Sequence, residues 1–236
     1  MMKLVQLETC ESTNDEAWKH LPETTLVVTR HQTRGRGRQG RKWEDDAGNI
    51  MASLALAPID GLSERLTWLP LAAGVAAGEM LSVTAGRDLA GLRLKWPNDV
   101  MWEDAKMGGL LCETRFSGER LVGVVVGFGL NVERAPDVAG MKTACVGAHA
   151  KDFDRARFLG LWADRVQYWA EELAQGRTSK LREAWLRLAK LERFPAFTVH
   201  DASGETVKLT ALDLDDAGRL KAQAGPSKIV FLDQPA

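Results

Sequence analysis

Cysteine is scarce in this 236-residue chain: Cys10, Cys112 and Cys145 are odd in number and far apart. That excludes a disulfide framework and fits reduced thiols, read as small buried side chains, in a cytoplasmic setting. The four histidines, His20, His31, His149 and His200, are scattered and never fall at metal-ligand spacing, so no all-protein zinc site is expected. An excess of charge of one sign is also missing. With a formal net charge of -1, no bulk field draws the chain to nucleic acid or to an anionic membrane, and any cationic function must be local. Long apolar runs are absent too: MMKLVQLETC is too short for a signal peptide, and LTWLPLAAGVAAGEML at 66–81 is interrupted by Pro70 and Glu79. Neither export nor membrane spanning is expected, and a buried helix explains the second stretch.

What is present suits one large globular domain and a small second one. Leu4 to Leu7 reads as a short strand, after which Ser12 or Thr13 caps a helix running toward Leu21. TLVVT at 25–29 and NIMASLAL at 49–56 are strands bracketing a loop rich in Gly and Arg. Residues 63 to about 82 read as an Ala- and Leu-rich helix capped by Ser63, with Ala73, Gly74 and Ala77 permitting close packing on a sheet. Three strands follow, at 92–96, 107–115 and 120–132. The last is apolar on consecutive residues and belongs in the middle of the sheet. Phe158, Trp162, Val166, Trp169 and Leu173 share one face of a helix over roughly 153–175, and Leu181, Trp185, Leu188 and Leu191 form a second stripe. Both stripes are read as core. From Phe194 onward, short alternating strands with Gly204, Gly218 and Gly225 at turns indicate an appended β unit.

Chemistry concentrates in a few segments. RGRGRQGRKW at 34–43 sets Arg34, Arg36, Arg38, Arg41 and Lys42 among Gly35, Gly37 and Gly40. Like charges so close repel, which makes the loop costly to order until an anion arrives. Its glycines let backbone N–H groups approach a phosphate or carboxylate, and its guanidiniums grip such groups in bidentate fashion. A lid over a phosphorylated ligand is the reading this favours over an RNA-binding Arg-Gly tract, which would be expected to recur on a basic chain. In KWPND at 95–99, Pro97 fixes a turn beside Lys95 and Asp99; taken alone this is an ordinary Pro-Asn-Asp turn. KMGGLL at 106–111 places an amine ahead of two glycines over which a ligand can lie, or else a lysine snorkelling from a strand edge. GFGLN at 127–131 lacks the third glycine of a dinucleotide fingerprint; Gly129 and Asn131 read as a close backbone approach plus an amide for a base or ribose.

Taken in order, ESTND (11–15), HQTRGRGRQGRKW (31–43), KWPND, KMGGLL and GFGLN resemble the biotin protein ligase family, tightly over about residues 4–132. The resemblance implies an α/β (α+β) fold: a mixed sheet with helices mainly on one face in a catalytic domain over 1–192, and a small SH3-like β domain over 193–236. It implies a two-step reaction in which biotin and MgATP give biotinyl-5′-AMP and pyrophosphate, and a lysine of a biotin carboxyl carrier protein domain then takes the biotinyl group. Carried over position by position, biotin binding falls on Ser12, Thr13, Asn14, Gln32, Gly35, Arg36, Gly37, Arg38 and Lys106. ATP binding falls on Arg36, Arg38, Arg41, Trp43, Asn98 and Asn131, with magnesium present only as MgATP. Arg38, Lys106 and Asp99 are the catalytic positions, Asp99 being the one that activates the carrier lysine. Arg34 departs from the small residue the family usually carries there, and GPSKIVFLDQPA departs from its usual acidic-then-basic ending. Only eleven residues precede Ser12 and they read as a strand, so no helix-turn-helix and no DNA partner are expected. A homodimer through an exposed sheet edge is a family expectation. A lipoate or octanoate ligase is the nearest rival reading; an RNA binder and a catalytically silent biotin-binding scaffold are the others.

Overall fold

The structure, a computed structural model, describes residues 2–44, 48–85, 89–200 and 206–233. Seven strands form one twisted sheet in the order β1-β2-β3-β7-β6-β5-β4. Its members are β1 (Lys3–Cys10), β2 (Thr25–Gln32), β3 (Ile50–Leu56), β4 (Leu92–Lys95), β5 (Asp99–Trp102), β6 (Ala105–Ser117) and β7 (Arg120–Leu130). Only β1 and β2 run parallel, joined by the six-residue helix α1 (Thr13–Trp18); every other pairing is antiparallel. The sheet is therefore mixed. After Arg120, the apolar run 121–130 takes the central position, as its lack of polar side chains requires.

Three longer helices, α2 (Leu69–Thr84), α3 (Arg155–Ala174) and α4 (Thr178–Ala189), cover one face. The stripe Phe158, Trp162, Val166, Trp169 and Leu173 is wholly interior, each residue contributing about 1.5–3 kcal/mol relative to exposure. The span Leu62–Thr84 is long and apolar enough to cross a membrane by length and composition, but its helix α2 is packed between the sheet and α4. A Cβ on Gly74 would lie 3.6 Å from the methyls of Leu94 and Leu110, and one on Gly78 would lie 3.0 Å from Leu188. Small residues thus let α2 lie close to both neighbours. Ser63 does not cap this helix: residues Leu62–Trp68 wind as a 3-10 turn, and α2 starts one turn later with Pro70 in its first turn. The strand β5 is a second difference from the sequence reading, which ends the KWPND turn at Asp99 and assigns no strand to Val100–Trp102.

The remaining strands, β8 (Ala196–His200), β9 (Thr206–Leu214), β10 (Leu220–Ala224) and β11 (Lys228–Leu232), form a separate antiparallel sheet in the order β11-β10-β9-β8. Its β9–β10 turn leans on the larger unit. The indoles of Trp68 and Trp96 donate to the carbonyls of Asp216 (3.1 Å) and Gly218 (3.3 Å), and Thr67 donates to Ala217 at 2.8 Å.

Candidate active site

Strand alternation builds the floor of the site. Along β7, Val124, Val126, Phe128 and Leu130 belong to the core beneath the helices, so Gly127 and Gly129 face the α1 side. Gly129 is paired with Gly109 of β6. These glycines leave backbone bare where side chains would fill the space. A Cβ on Gly127 would come within 3.1 Å of Asn14 Cγ, and one on Gly129 within 2.5 Å of Trp43 Cζ2. The result is a cavity of about 550 Å³, the size of a small-ligand pocket.

One wall is a hydroxyl–amide array. Where β1 gives way to α1, Ser12, Thr13 and Asn14 are each only 4% exposed. Gln32 Oε1, at the end of the parallel partner strand, accepts from the Thr13 backbone N–H at 2.7 Å and lies 3.1 Å from its hydroxyl. Ser53 Oγ sits 2.6 Å from Asn14 Oδ1 and 2.7 Å from Thr13 Oγ1. Ser53 went unmarked in the sequence, although it is the one polar side chain in the buried strand IMASLAL.

The basic loop forms a second wall. Its arms close on each other through Gly37 N–H to Arg41 C=O (2.6 Å) and Trp43 N–H to Gly35 C=O (3.0 Å). The mutual repulsion expected of its cations is offset within the protein. Arg34 meets Glu11 at 3.2 Å, Arg36 meets Asp15 at 2.6 Å and Lys42 meets Glu44 at 2.9 Å. Hydrogen bonding to Asp15 raises the Arg36 pKa and in turn holds the Asp15 carboxyl below the usual carboxylate range. Burial lowers the Arg38 pKa from its ordinary value.

The third wall comes from the β4–β5 turn and β6. The Asn98 main-chain carbonyl accepts from the Leu110 N–H (2.9 Å) and its side-chain Nδ2 donates to the Leu110 carbonyl (2.6 Å), which ties the turn to β6. Between β5 and β6 the register slips: Val100 faces Gly108, whereas Met101 faces Lys106. This bulge leaves Met107 in the core and turns Lys106 onto the cavity side, which strict alternation would have denied it. Lys106 Nζ then reaches Asp99 Oδ1 at 2.6 Å, both side chains 21% exposed. The Trp43 ring centroid lies 6.0 Å from the same amine. At the end of β7, Asn131 donates to the Ala144 carbonyl at 3.1 Å, and its buried Oδ1 has no partner within the described protein. An orphaned acceptor in a cavity is an opening for a ligand donor.

Of the positions carried over from the motifs, Ser12, Thr13, Asn14, Gln32, Arg36, Gly37, Arg38, Arg41, Trp43, Asn98, Asp99, Lys106 and Asn131 all line this one cavity. Gly35 stands one layer behind it, where a Cβ would press on the Trp43 carbonyl (3.0 Å) and Gln32 Nε2 (3.2 Å). Lys95, named in the KWPND turn but given no role there, also lines it, as do Leu111, Met141, Thr143 and, from the second sheet, Thr198, to which the sequence reading gives no part in a site. The cations Arg36, Arg38, Arg41, Lys42, Lys95 and Lys106 outnumber Glu44 and Asp99, so the space favours an anionic occupant. The Cys112 thiol is pushed up to about 12 by burial, which makes it a poor nucleophile. Among the described residues, no group of three or more His, Cys, Asp or Glu side chains is placed to hold a metal ion.

A bare-backbone floor, a polar array at one end and a cation cluster beside it define a site for a small ligand carrying both an amide-like group and an anion. Residues 6–131 match the model of the biotin/lipoate A/B protein ligase family, and the chain belongs to that family. It is 35% identical over 191 residues to a biotin–[acetyl-CoA-carboxylase] ligase of Paracoccus denitrificans, covering 77% of this chain and 79% of the relative. With the enzyme of the same name from Mycobacterium tuberculosis it shares 32% identity over 211 residues, covering 87% and 75%. Its fold is that of the Aquifex aeolicus biotin protein ligase solved in complex with biotin and ATP (TM-score 0.80, 21% identity, 98% of this chain and 96% of that one). A biotin protein ligase from Leishmania major in complex with biotinyl-5-AMP is similar at a TM-score of 0.66, with 22% identity over 98% and 99% of the two chains.

Proposed function

We propose that this protein is a biotin protein ligase, which activates biotin with MgATP to biotinyl-5′-AMP and transfers the biotinyl group to a lysine of a carrier domain. The observation that carries this reading is the meeting, in one cavity, of the Thr13–Asn14–Gln32 array with Arg38 and the Lys106–Asp99 pair. A ureido ring offers two N–H donors and a carbonyl acceptor, which suits hydroxyl and carboxamide partners supplied by Ser12, Thr13, Asn14 and Gln32. Gly35, Arg36 and Gly37 close over the same end. Arg38 and Lys106 hold the biotin carboxylate against the α-phosphate, while Arg41, Trp43, Asn98 and Asn131 receive the nucleotide.

In the first step a carboxylate oxygen attacks the α-phosphorus, and the bond to the β-phosphate breaks with its electron pair leaving on pyrophosphate. Two anions must approach each other, so clamping cations that lower this repulsion are the main catalytic device. In the second step the amine of the carrier lysine attacks the acyl carbon and AMP leaves. A free lysine is mostly protonated near neutrality, with a pKa of about 10.4, and Asp99 takes its proton. Magnesium enters with ATP as part of the substrate. The acceptor is the biotin carboxyl carrier protein domain of a biotin-dependent carboxylase, the reaction belongs to the cytoplasm, and the ligase and β units divide near residue 192.

ATP–pyrophosphate exchange tests the reading. Stimulation by biotin, and not by lipoate or octanoate, is expected. Stimulation by lipoate alone would replace the substrate assignment.

A further inference from the structure

Arg36 belongs to the proposed biotin-covering loop, yet its guanidinium is engaged from below. Nη1 lies 2.6 Å from Asp15 Oδ2 and Nη2 lies 2.7 Å from Asp15 Oδ1, a fork-on-fork pairing that fixes orientation as well as distance. Nη2 is also 3.5 Å from Glu113 Oε1 on β6. Glu113 is held in turn, since its Oε2 accepts from the Trp18 indole at 3.1 Å and the Arg115 guanidinium stacks 4.1 Å over that indole. The loop, α1 and β6 are thereby joined at one guanidinium. The neighbouring Arg34–Glu11 pair contrasts with it: a single contact, with side chains 74% and 65% exposed, holds little.

We propose that Asp15 is a positioning residue: acting through Arg36, with Glu113 as second acceptor, it holds the basic loop over the biotin end of the cavity. Three consecutive residues of α1 then carry two tasks. Thr13 and Asn14 face the cavity array, and Asp15 fixes the loop that covers it, so wall and cover keep one spacing. Within the loop itself, five cations in nine residues have no acid among them before Glu44, so a carboxylate from α1 supplies order that the loop sequence lacks. The consequence for ligand binding rests on the ligase reading; the consequence for loop order does not.

The test compares wild type, Asp15→Asn, Asp15→Glu and Glu113→Gln in two measurements. Trypsin cutting within 34–43, followed without any ligand, is expected to rise about five- to tenfold in Asp15→Asn, less in Glu113→Gln, and to return toward wild type in Asp15→Glu. Steady-state kinetics should show the KM for biotin rising by a similar factor in Asp15→Asn, with kcat at saturating biotin within about twofold. Wild-type cutting of Asp15→Asn would overturn the proposal. A loss of kcat and of folded protein together, unrescued by glutamate, would also overturn it. Should the wild type fail to use biotin at all, the ligase reading falls and the proteolysis arm still decides the positioning role.

Discussion

Replacing Gly127 by alanine tests how the cavity floor works. A methyl there would lie 3.1 Å from Asn14 Cγ and 3.2 Å from Nδ2, and nearer still to Oδ1. The strand cannot yield, because Gly127 is paired with Ser53 on one side and Leu111 on the other in the middle of the sheet. Asn14 must move instead, and it would abandon its 2.6 Å contact with Ser53, a fully buried hydroxyl. Overpacking costs about 1–3 kcal/mol, and the lost Ser53–Asn14 hydrogen bond about 0.5–1.5 kcal/mol, because the Ser53 hydroxyl keeps Thr13 Oγ1 at 2.7 Å as a partner. Because relief of one partly relieves the other, the net loss of stability is expected at about 2–4 kcal/mol, or roughly 5–12 °C in Tm for a chain of this size. Displacing Asn14 also removes one of the proposed ureido partners while the methyl intrudes on the cavity, so biotin affinity should fall at least about tenfold. Calorimetric titration with biotin and a thermal melt read both quantities. Gly160→Ala is the control: it lies inside α3, where an added Cβ meets nothing within 4 Å, and should stabilise by about 0.5–1 kcal/mol. Wild-type biotin affinity and Tm in Gly127→Ala would refute the floor argument.

Other positions separate the steps. Gly129→Ala should push the Trp43 ring off the floor, raising the KM for ATP more than that for biotin; equal rises in steady-state assays would contradict the division of the cavity. Lys106→Met should slow adenylate formation by about a hundredfold or more, as expected for loss of a preorganised cation worth about 2.7–4 kcal/mol in the barrier, and quenched-flow measurement of pyrophosphate release would detect it. Asp99→Asn should instead let adenylate accumulate and delay transfer to the carrier, seen by comparing pyrophosphate release with carrier labelling. The hydrogen bond from Arg36 depresses the Asp15 pKa, so the pair stabilises the fold fully above the unfolded carboxyl value, about 3.9, and loses that contribution as pH falls through the lower folded value. The Tm difference between wild type and Asp15→Asn should therefore be largest near pH 6 and shrink once pH falls below the unfolded carboxyl value.

Much of the fold was legible because burial imposes periodicity. The stripe from Phe158 to Leu173 and the unbroken apolarity of 121–130 each admit one placement, on a helix under the sheet and at the sheet centre. What escaped notice depends on pairing. Strand β5 is four residues long with only Val100 and Met101 buried, too short for a pattern to emerge. The start of α2 is not legible because Ser63 suits a cap, whereas the 3-10 turn before Leu69 depends on tertiary contacts such as Trp68 to Asp216. The bulge that aims Lys106 is a relation between two strands and leaves no mark on either alone. The motif residues could be grouped by chemistry, but Ser53, Asp15 and Glu113 act as supports, and supports are recognised only by what they touch.

In the proposed reaction the cation-lined cavity joins two anionic reactants and passes the product to an amine. Incubating the purified protein with biotin, MgATP and a biotin carboxyl carrier domain, then weighing the intact carrier by mass spectrometry, tests it most directly. A gain of one biotinyl group on a single lysine is expected, dependent on ATP and lost in Lys106→Met. An unmodified carrier, with no pyrophosphate released by folded wild-type protein, would contradict it.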